Sequence, residues 1–174
     1  FGVSSFFTYL ANSSFVLIEH YGLTPTQYSL AFSVNAVSFI GAAQFTGWLG
    51  GRYGLRRVVR TAVIGYAAAM LALLTLTAAG ADRLDLLMAL LFVGYGFLGL
   101  VMPTTAVLAL DRHGPIAGTA SALMGTLQFV TGALVIALVG RFLDGTALPM
   151  VGGIAGCAVA AFLLARFALR RDDE

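Results

Sequence analysis

Long apolar runs without a charged residue alternate with short polar connections along this chain. Each run has about the length that a helix needs to cross a bilayer core, roughly 20 residues for roughly 30 Å. The pattern predicts six membrane-spanning helices, called spans one to six, at residues 1–18, 26–49, 61–81, 86–110, 116–140 and 145–165. We therefore expect an all-α integral membrane fold in which residues 1–174 form one unit.

The composition supports a membrane protein. Of the 174 residues, 59% are hydrophobic and only 10% are charged, whereas about a quarter of the residues in a soluble domain are charged. The lipid bilayer is therefore an expected partner. The net charge of +2 does not indicate nucleic acid as a partner, because the arginines lie in the connections between spans. A single cysteine, Cys157, leaves no disulfide framework and no metal cluster.

The arginines are distributed unevenly between the two ends of the predicted bundle. Four lie between spans two and three, one lies between spans four and five, and three follow span six. The connections at the opposite end hold only Arg83 and Arg141. Because positively charged loops are retained in the cytoplasm, this bias predicts a C-terminus in the cytoplasm.

The chain begins with Phe1 inside an apolar run, without the basic segment and cleavage site of a signal peptide. We expect it to be the C-terminal part of a longer protein whose N-terminal part is absent from this sequence.

The connection between spans two and three is a short segment rich in glycine and arginine. Its charge cannot lie in hydrocarbon, so the sequence predicts a tight cytoplasmic turn. Asp111 and Arg112, at the same predicted end, either pair with these arginines or are solvated. The residues that we expect to act as a conformational switch are Gly47, Gly50, Arg52, Gly54, Arg56 and Arg57.

Uncharged polar and aromatic residues cluster in spans one, two, four and five. An unpaired amide in hydrocarbon costs several kcal/mol, so each should face protein or water. Two interpretations stay open: hydrogen bonds between helices, or a wet, aromatic-lined cavity for amphipathic small molecules. The candidates for substrate contact are Tyr9, Asn12, Asn35, Phe92, Tyr95, Met124 and Gln128, with Phe6 and Phe32 as further apolar wall.

No enzyme signature is present in the sequence. His20 and His113 lie in connecting loops and do not form a metal pair. Ser121 and the other serines within spans have no histidine on another span to act as a base. We therefore predict neither catalysis nor a metal or cofactor.

Two features predict details of helix geometry. Glycines at small-xxx-small spacing predict close helix contacts, and the pairs are Gly47/Gly51, Gly152/Gly156 and Gly118/Ala122. Pro103 should bend span four, while Thr104 and Thr105 bond the carbonyls that it frees. The bend is either structural or part of a gate.

Three stretches of the sequence resemble the major facilitator superfamily (MFS). Residues 47–57, GWLGGRYGLRR, resemble its loop motif glycine-x-x-x-aspartate-arginine-x-glycine-arginine-arginine, with Gly51 at the aspartate position. Two further stretches resemble its Bcr/CflA-type drug-resistance transporters. Residues 15–28 resemble the end of the seventh helix of these proteins, and residues 114–129 resemble the beginning of the eleventh helix. One departure is Ser14, where that group has proline.

The resemblance implies the C-terminal six-helix half of a twelve-helix transporter, built from two inverted three-helix repeats. It implies proton-coupled efflux of small amphipathic drugs by a multidrug antiporter of the bacterial inner membrane. Spans one, two, four and five would then line the cavity, and spans three and six would face lipid. The expected partners are a small-molecule drug or metabolite, protons and the N-terminal half, which should hold the proton carrier.

Two alternatives to drug efflux stay open. The chain could be a non-transporting six-helix protein, such as a scaffold or a gene fragment. It could also belong to an MFS exporter of a small metabolite such as a sugar or an amino acid.

Overall fold

The described secondary structure is entirely helical. The computed structural model describes residues 1–111, 116–142 and 144–171, with side chains to residue 168. Arg112 and His113, which the sequence analysis considered, lie outside the described residues. The helices are α1 (Gly2–Ser14), a π-helical segment (Phe15–His20), α2 (Pro25–Gln44), α3 (Thr46–Tyr53), α4 (Leu55–Ala78), α5 (Leu84–Asp111), α6 (Ala117–Gly140) and α7 (Leu148–Arg171).

Five of the six predicted spans have helices long and apolar enough to cross a membrane. They are Pro25–Tyr53, Leu55–Ala78, Leu84–Asp111, Ala117–Gly140 and Leu148–Ala168. The first predicted span does not belong to this group. Its α-helix has only 13 residues, and its buried positions are mostly hydroxyl and amide side chains. The chain is thus a multi-pass membrane protein, and span one stays a prediction.

The first helix is extended by the π-helical segment, which begins next to Ser14. A π-turn widens the helix by one residue and breaks its regular bonding. The irregularity therefore falls at the position where the resemblance implies a proline. Together α1 and the π-segment reach from Gly2 to His20.

The second helix starts at a well-formed cap. The Thr24 side chain accepts a bond from the backbone N–H of Gln27, whose side chain bonds back to Thr24. Such a capping box satisfies N–H donors that the start of a helix leaves without a partner. Pro25, at the first helical position, has no N–H that would need a partner there.

The basic connection is mostly helical, which differs from the expectation of a glycine-rich turn. The segment Thr46–Tyr53 forms α3, and α4 begins at Leu55. The chain reverses at Gly54 alone, which has φ +82° and ψ 137°. A residue with a Cβ rarely adopts this conformation, so Gly54 is required by the turn itself.

The helix α5 continues through Pro103. Proline removes the backbone donor that would bond the Gly99 carbonyl. The following hydroxyls bond carbonyls of the same turn but not that of Gly99, so this part of the prediction was wrong. Thr104 donates to Leu100 and Val101, and Thr105 donates to Val101 and Met102.

The helices pack in the spatial order α2, α5, α4, α7, α1, α6. The central members bury most of the core, in which Tyr66, Met70, Leu91, Leu98 and Ile154 are all 1% exposed or less. The outermost helices α2 and α6 have the fewest buried residues in their most apolar windows. Spans two and five therefore present most of their surface outward from this chain.

Three loops meet at one end of the bundle. His20 Nε2 and the Tyr21 hydroxyl bond the two carboxylate oxygens of Asp82, so the first and third connections are in contact. Burial alone would raise the pKa of Asp82, but the bonds from Tyr21 and His20 outweigh it and lower that pKa. Bonds from Thr146 lower the pKa of Asp144 in the fifth connection, and His20 adds a smaller electrostatic contribution. The three connections therefore lie at the same end of the bundle.

The predicted glycine pairs are not the close contacts within this chain. A Cβ added at Gly47, Gly51, Gly118, Gly152 or Gly156 would meet nothing within 4 Å among the described residues. The prediction was therefore wrong about which glycines pack. The closest backbone approach is instead at Gly99 of α5, where a Cβ would lie 2.1 Å from the Phe39 carbonyl oxygen of α2.

Candidate functional site

A pocket of about 190 Å³ lies between α1, α2 and α5. It brings together three of the predicted substrate-contact residues, Tyr9, Asn35 and Tyr95, and the two predicted wall residues Phe6 and Phe32. The lining consists of Phe6, Tyr9, Phe32, Asn35, Ala36, Phe39, Ile40 and Tyr95.

This pocket lies at the middle of the predicted membrane. Tyr9, Asn35 and Tyr95 are each about ten residues from the end of their helix at His20, Pro25 and Leu84, respectively. At 1.5 Å per residue, each lies about 15 Å from that end, which is half of a hydrocarbon core of about 30 Å. Three helices thus place aromatic and amide side chains at one depth.

Tyr9 contacts three other residues of the pocket wall. Its hydroxyl accepts a bond of 3.0 Å from Asn35 Nδ2, and its ring stacks on Phe32 with 5.9 Å between centroids. The Tyr95 ring lies 5.1 Å from the Tyr9 ring and meets Phe6 edge-on at 6.1 Å. Aromatic rings in edge-on and offset arrangements attract each other electrostatically, so these contacts hold the aromatic walls in position.

Two polar atoms of the pocket have no hydrogen-bond partner among the described residues. They are Asn35 Oδ1 and the Tyr95 hydroxyl, on side chains of residues that are 3% and 1% exposed. A buried polar group without a partner costs about 1–3 kcal/mol. Thr46 Oγ1, at the start of α3, is also unpartnered but lies outside this pocket.

Elsewhere the polar residues of α1 are satisfied inside the protein. Ser4 bonds Thr131 of α6 at 3.2 Å, Ser13 bonds Tyr28 of α2 at 3.2 Å, and Ser5 accepts from Tyr66 of α4. Of the two interpretations left open by the sequence, bonding between helices therefore holds for these serines. It also holds for Asn35, whose Nδ2 donates to the Tyr9 hydroxyl of α1.

Two predicted contact residues lie outside the pocket. Asn12 is buried, and its Nδ2 donates 2.8 Å to the Thr8 carbonyl of its own helix. Phe92 is 41% exposed, and its carbonyl accepts a bond from Ser38 of α2. Neither residue lines the pocket around Tyr9.

Met124 and Gln128 of α6 line a second, larger groove of about 650 Å³. A neighbouring groove of about 690 Å³ also includes both residues, together with Pro103 and Thr105 of α5. The two residues are half-buried. Of the seven predicted contact residues, three therefore line the narrow aromatic pocket, two line the wide groove, and Asn12 and Phe92 line neither.

The predicted switch residues flank the turn at Gly54. The Arg52 guanidinium lies over the Trp48 ring at 5.7 Å and over the Tyr53 ring at 5.8 Å, distances typical of cation–π contacts. Arg56 and Arg57 are exposed on the first turn of α4. Gly50 approaches Leu55, because a Cβ there would lie 2.7 Å from its Cδ2 atom. Gly47 is exposed and has open space beside it.

Phe39 is a pocket residue that the sequence analysis missed. It stacks on Phe6 with 5.7 Å between centroids and lines the pocket. Phe32, Asn35 and Phe39 are separated by three and four residues, the spacing that puts side chains on one helix face. That spacing was a usable signal, because two of the three residues had already been selected.

The pocket has the groups for binding and none for catalysis. Its lining has aromatic rings, one amide and two phenol hydroxyls, without a charged residue. Over the described residues, His, Cys, Asp and Glu do not form a group of three that could hold a metal ion. A mostly apolar pocket with a few placed polar groups is typical of a small-molecule site.

Comparison with known proteins gives one family. The family model of the Major Facilitator Superfamily matches residues 1–174. The chain is 32% identical over 166 residues to the uncharacterized MFS-type transporter YdgK of Bacillus subtilis, covering 95% of this chain and 40% of that protein. It is 27% identical over 177 residues to a bicyclomycin resistance protein homolog of Haemophilus influenzae, covering 99% of this chain and 43% of that protein.

The chain therefore spans less than half the length of these relatives. No solved structure gives a significant match. Proteins of the matched superfamily are transporters rather than enzymes, which agrees with a mid-membrane binding pocket. The helical architecture, the pocket and the match over all 174 residues lead to one conclusion: the chain belongs to the major facilitator superfamily.

Proposed function

We propose that this chain is the C-terminal half of a proton-coupled exporter of small amphipathic drugs. The observation that carries the proposal is the uncharged aromatic pocket at mid-membrane depth, lined by Tyr9, Asn35 and Tyr95. Aromatic walls with few polar groups suit molecules that have one apolar and one polar part. The bicyclomycin resistance protein homolog among the relatives supports drugs as the substrate class.

The helix packing supports the proposed pair of three-helix repeats. In the proposed repeats α1 corresponds to α5, α2 to α6 and α4 to α7. The contact of α2 with α5 then corresponds to the contact of α6 with α1. In the same way the contact of α4 with α5 corresponds to that of α7 with α1, and the contact of α4 with α7 corresponds to itself. Inverted repeats of this kind recur in transporters whose substrate sites lie near the bilayer midplane.

The outward surfaces of α2 and α6 support the proposal that a second half covers them. Large apolar side chains on these helices are exposed in this chain, among them Leu30, Val37, Ile40, Leu127 and Leu134. We propose that α1, α2, α5 and α6 line the cavity shared with that half, while α4 and α7 face lipid. The C-terminus is then cytoplasmic, as the arginine bias predicts.

Proton coupling requires a carrier outside these spans. The five apolar spans have no acidic or histidine side chain near their middle, and such groups form the proton relays of pumps and transporters. We therefore assign the carrier to the N-terminal half. Met124 and Gln128 would contact the substrate along the wider groove.

We propose that Arg52, Arg56 and Arg57 control the conformational cycle by interacting with helix C-terminal ends at the cytoplasmic side. Replacing Arg52 by Ala removes its contacts with Trp48 and Tyr53. Transport by the variant should slow while drug affinity stays close to wild type. A loss of affinity at an unchanged maximal rate would contradict this role.

The proposed function is tested by drug accumulation in a pump-deficient bacterium that expresses the whole protein containing this chain. We expect exclusion of the drug that an uncoupler abolishes and that Gln128→Ala weakens. Gln44→Ala is the matched control, because Gln44 is an exposed amide near the end of α2 that lines neither groove. Absence of exclusion would contradict drug efflux and favour a metabolite exporter or a non-transporting protein. Exclusion that the uncoupler leaves intact would contradict proton coupling alone.

A further inference from the structure

A groove of about 370 Å³ lies between α3, α4 and α5 and shares no lining residue with the pocket around Tyr9. Its volume is within the range of about 300–1,000 Å³ that is typical of small-molecule sites. The lining is mostly apolar, and Arg57 is its only charged residue. The groove is lined by Leu49, Tyr53, Arg57, Val58, Thr61, Ala62, Phe97 and Leu100. One cation beside a long apolar surface suits a ligand with an anionic part and an apolar part.

The groove becomes apolar with depth in the predicted membrane. Arg57 lies about 3 Å from the first residue of α4 along the helix axis, and Ala62 lies about 10 Å from it. Leu100 lies about 16 Å from the last residue of α5. Phe97 is the deepest lining residue of α5, and its ring packs on α4, because a Cβ added at Gly65 would lie 2.6 Å from its Cζ atom. The groove thus runs from a charged mouth into the hydrocarbon region.

Exposed aromatic side chains place the mouth of the groove at the level of lipid headgroups. Trp48 and Tyr53 are 61% and 51% exposed, and these residue types are enriched where the membrane meets water. The Arg52 guanidinium lies over both of these rings. Arg57 forms no ion pair with another described residue. Its charge is therefore available to a ligand at this level.

The start of α4 adds to the positive potential of the mouth. The first turn of a helix has N–H groups that need acceptors and lies at the positive end of the helix dipole. This helix begins after Gly54, which has no side chain to cap it, and its first turn has two arginines and no acidic residue. The chain has no carboxylate at all between Glu19 and Asp82. An anion bound here would accept from first-turn N–H groups and neutralise this charge.

The groove favours the phosphate of a lipid over a free phosphate, and an anionic headgroup over a zwitterionic one. A free phosphate would leave the apolar part, at Ala62, Phe97 and Leu100, without an occupant. A zwitterionic headgroup would bring its ammonium group close to the arginines, where no lining residue is acidic. Asp111, at the end of α5, is not part of the lining. Basic sites between membrane helices at the cytoplasmic side are suited to anionic headgroups.

We propose that this groove binds an anionic phospholipid of the surrounding leaflet. Arg57 and the first turn of α4 hold the phosphate, and one acyl chain lies between α4 and α5 towards Phe97. This inference goes beyond the proposed function, which assigns Arg57 only to contacts with helix ends of the protein. It makes the lipid beside the Gly54 turn a specific partner of the chain rather than a solvent.

The test is native mass spectrometry of the whole protein in detergent, titrated separately with phosphatidylglycerol and phosphatidylethanolamine that have identical acyl chains. Both lipids have a phosphate, so a difference in affinity reports the net charge of the headgroup. We expect the first phosphatidylglycerol to bind about fivefold more tightly, the factor for one arginine near an anionic lipid surface. Millimolar inorganic phosphate should not displace it.

Paired variants locate the two parts of the lipid. Arg57→Gln should weaken phosphatidylglycerol about fivefold and so remove the preference. Arg60→Gln is the matched control, because it removes the same charge from an exposed position of the same helix outside the lining, and it should leave the preference intact. Thr61→Phe fills the groove and should weaken both lipids by a similar factor. Ile64→Phe, at an exposed position of α4 outside the lining, should weaken neither.

Five outcomes would overturn the inference. Equal affinity for the two lipids would mean that the headgroup charge is not recognised, and equal losses in Arg57→Gln and Arg60→Gln would show diffuse attraction to the basic surface. Displacement by inorganic phosphate would identify a free-anion site. Unchanged binding in Thr61→Phe would place the acyl chain elsewhere, and absence of bound lipid would mean that another part of the whole protein covers the groove. Because these measurements do not involve transport, they can fail while drug export persists, and export can fail while the lipid preference persists.

Discussion

Tyr66 and Tyr95 are both 1% exposed, on the neighbouring helices α4 and α5, but their hydroxyls are in opposite situations. The Tyr66 hydroxyl bonds Ser5 of α1, whereas the Tyr95 hydroxyl has no partner among the described residues. Around Tyr66 the protein satisfies its polar groups itself, which is what a structural core requires. Around Tyr95 a buried hydroxyl is left without a partner among the described residues, which costs free energy in the folded protein.

The difference follows from the helices that pack on each tyrosine. The polar face of α1 faces Tyr66 and provides a serine at the right depth. On the other side, α2 contributes Phe32, Asn35 and Phe39 to the Tyr95 pocket, and its amide is already bonded to Tyr9. The same residue type thus makes a hydrogen bond across one interface and leaves its hydroxyl unpartnered at the other.

The largest effect that we expect comes from breaking the interface that holds the pocket together. Gly99→Ala would place a Cβ 2.1 Å from the Phe39 carbonyl oxygen, and backbone atoms cannot move aside as a side chain can. We expect a loss of about 1–3 kcal/mol in the free energy of unfolding, measured by thermal unfolding in detergent.

The matched control for Gly99 is Gly41→Ala on α2, where nothing lies within 4 Å of the added Cβ. This change should leave stability the same or raise it slightly, because alanine favours a helix over glycine. Equal losses in both variants would show that the approach of α2 to α5 is not what holds the pocket.

The next effect contrasts the two tyrosines directly. Tyr66→Phe removes a buried hydrogen bond and should lower the free energy of unfolding by about 0.5–1 kcal/mol. Tyr95→Phe removes a hydroxyl that has no partner and should leave stability unchanged or raise it by a similar amount. Thermal unfolding of both variants without ligand gives the comparison. A larger loss for Tyr95→Phe would mean that its hydroxyl is bonded within the protein.

The smallest effect concerns the loop cluster at the end of the bundle. The lowered pKa of Asp82 means that its ionised form is favoured in the folded protein. Its stabilising contribution is therefore complete above the ordinary pKa of 3.8 and is lost as the pH falls through the lower folded value. Because the Asp82 side chain is 37% exposed, we expect less than about 1 kcal/mol.

This contribution is measured as the difference in melting temperature between pH 6 and pH 3 for Asp82→Asn and wild type. The variant should show the smaller acid-dependent drop. Asp85→Asn is the control, because Asp85 pairs with Arg83 two residues away and joins no separate loops. A larger change in the Asp85 variant would show that the contact between loops contributes nothing.

The sequence predicted the helices well because charge and hydrophobicity determine where a chain can cross a bilayer. Five spans agree with described helices to within a few residues at most ends. The polar composition of span one reduces the same signal, and no sequence rule identified the π-turn after Ser14. The turn at Gly54 was predicted in its position, but the helical conformation of α3 was not, because its glycines suggested a flexible loop.

The candidate site was predicted in part, for a reason that concerns helix rotation. The depth of Tyr9, Asn35 and Tyr95 follows from counting residues. The apolar residues of α2 and α5, however, lie all around the circumference of each helix, so the sequence does not indicate which face points into the bundle. Packing decides that Tyr95 points into the pocket while Phe92, three residues earlier, is 41% exposed. Asn12 shows a second limit, since its bond to the Thr8 carbonyl competes with any contact across the cavity.

The most direct test of the difference between the two tyrosines is drug export by Tyr95→Phe and Tyr66→Phe, compared in the whole protein at matched membrane abundance. The probe is the drug with which the proposed export is tested. We predict that the concentration needed for half-maximal export rises about tenfold in Tyr95→Phe and changes less than twofold in Tyr66→Phe. An equal change in both variants, or a change confined to Tyr66→Phe, would contradict a ligand site at Tyr95.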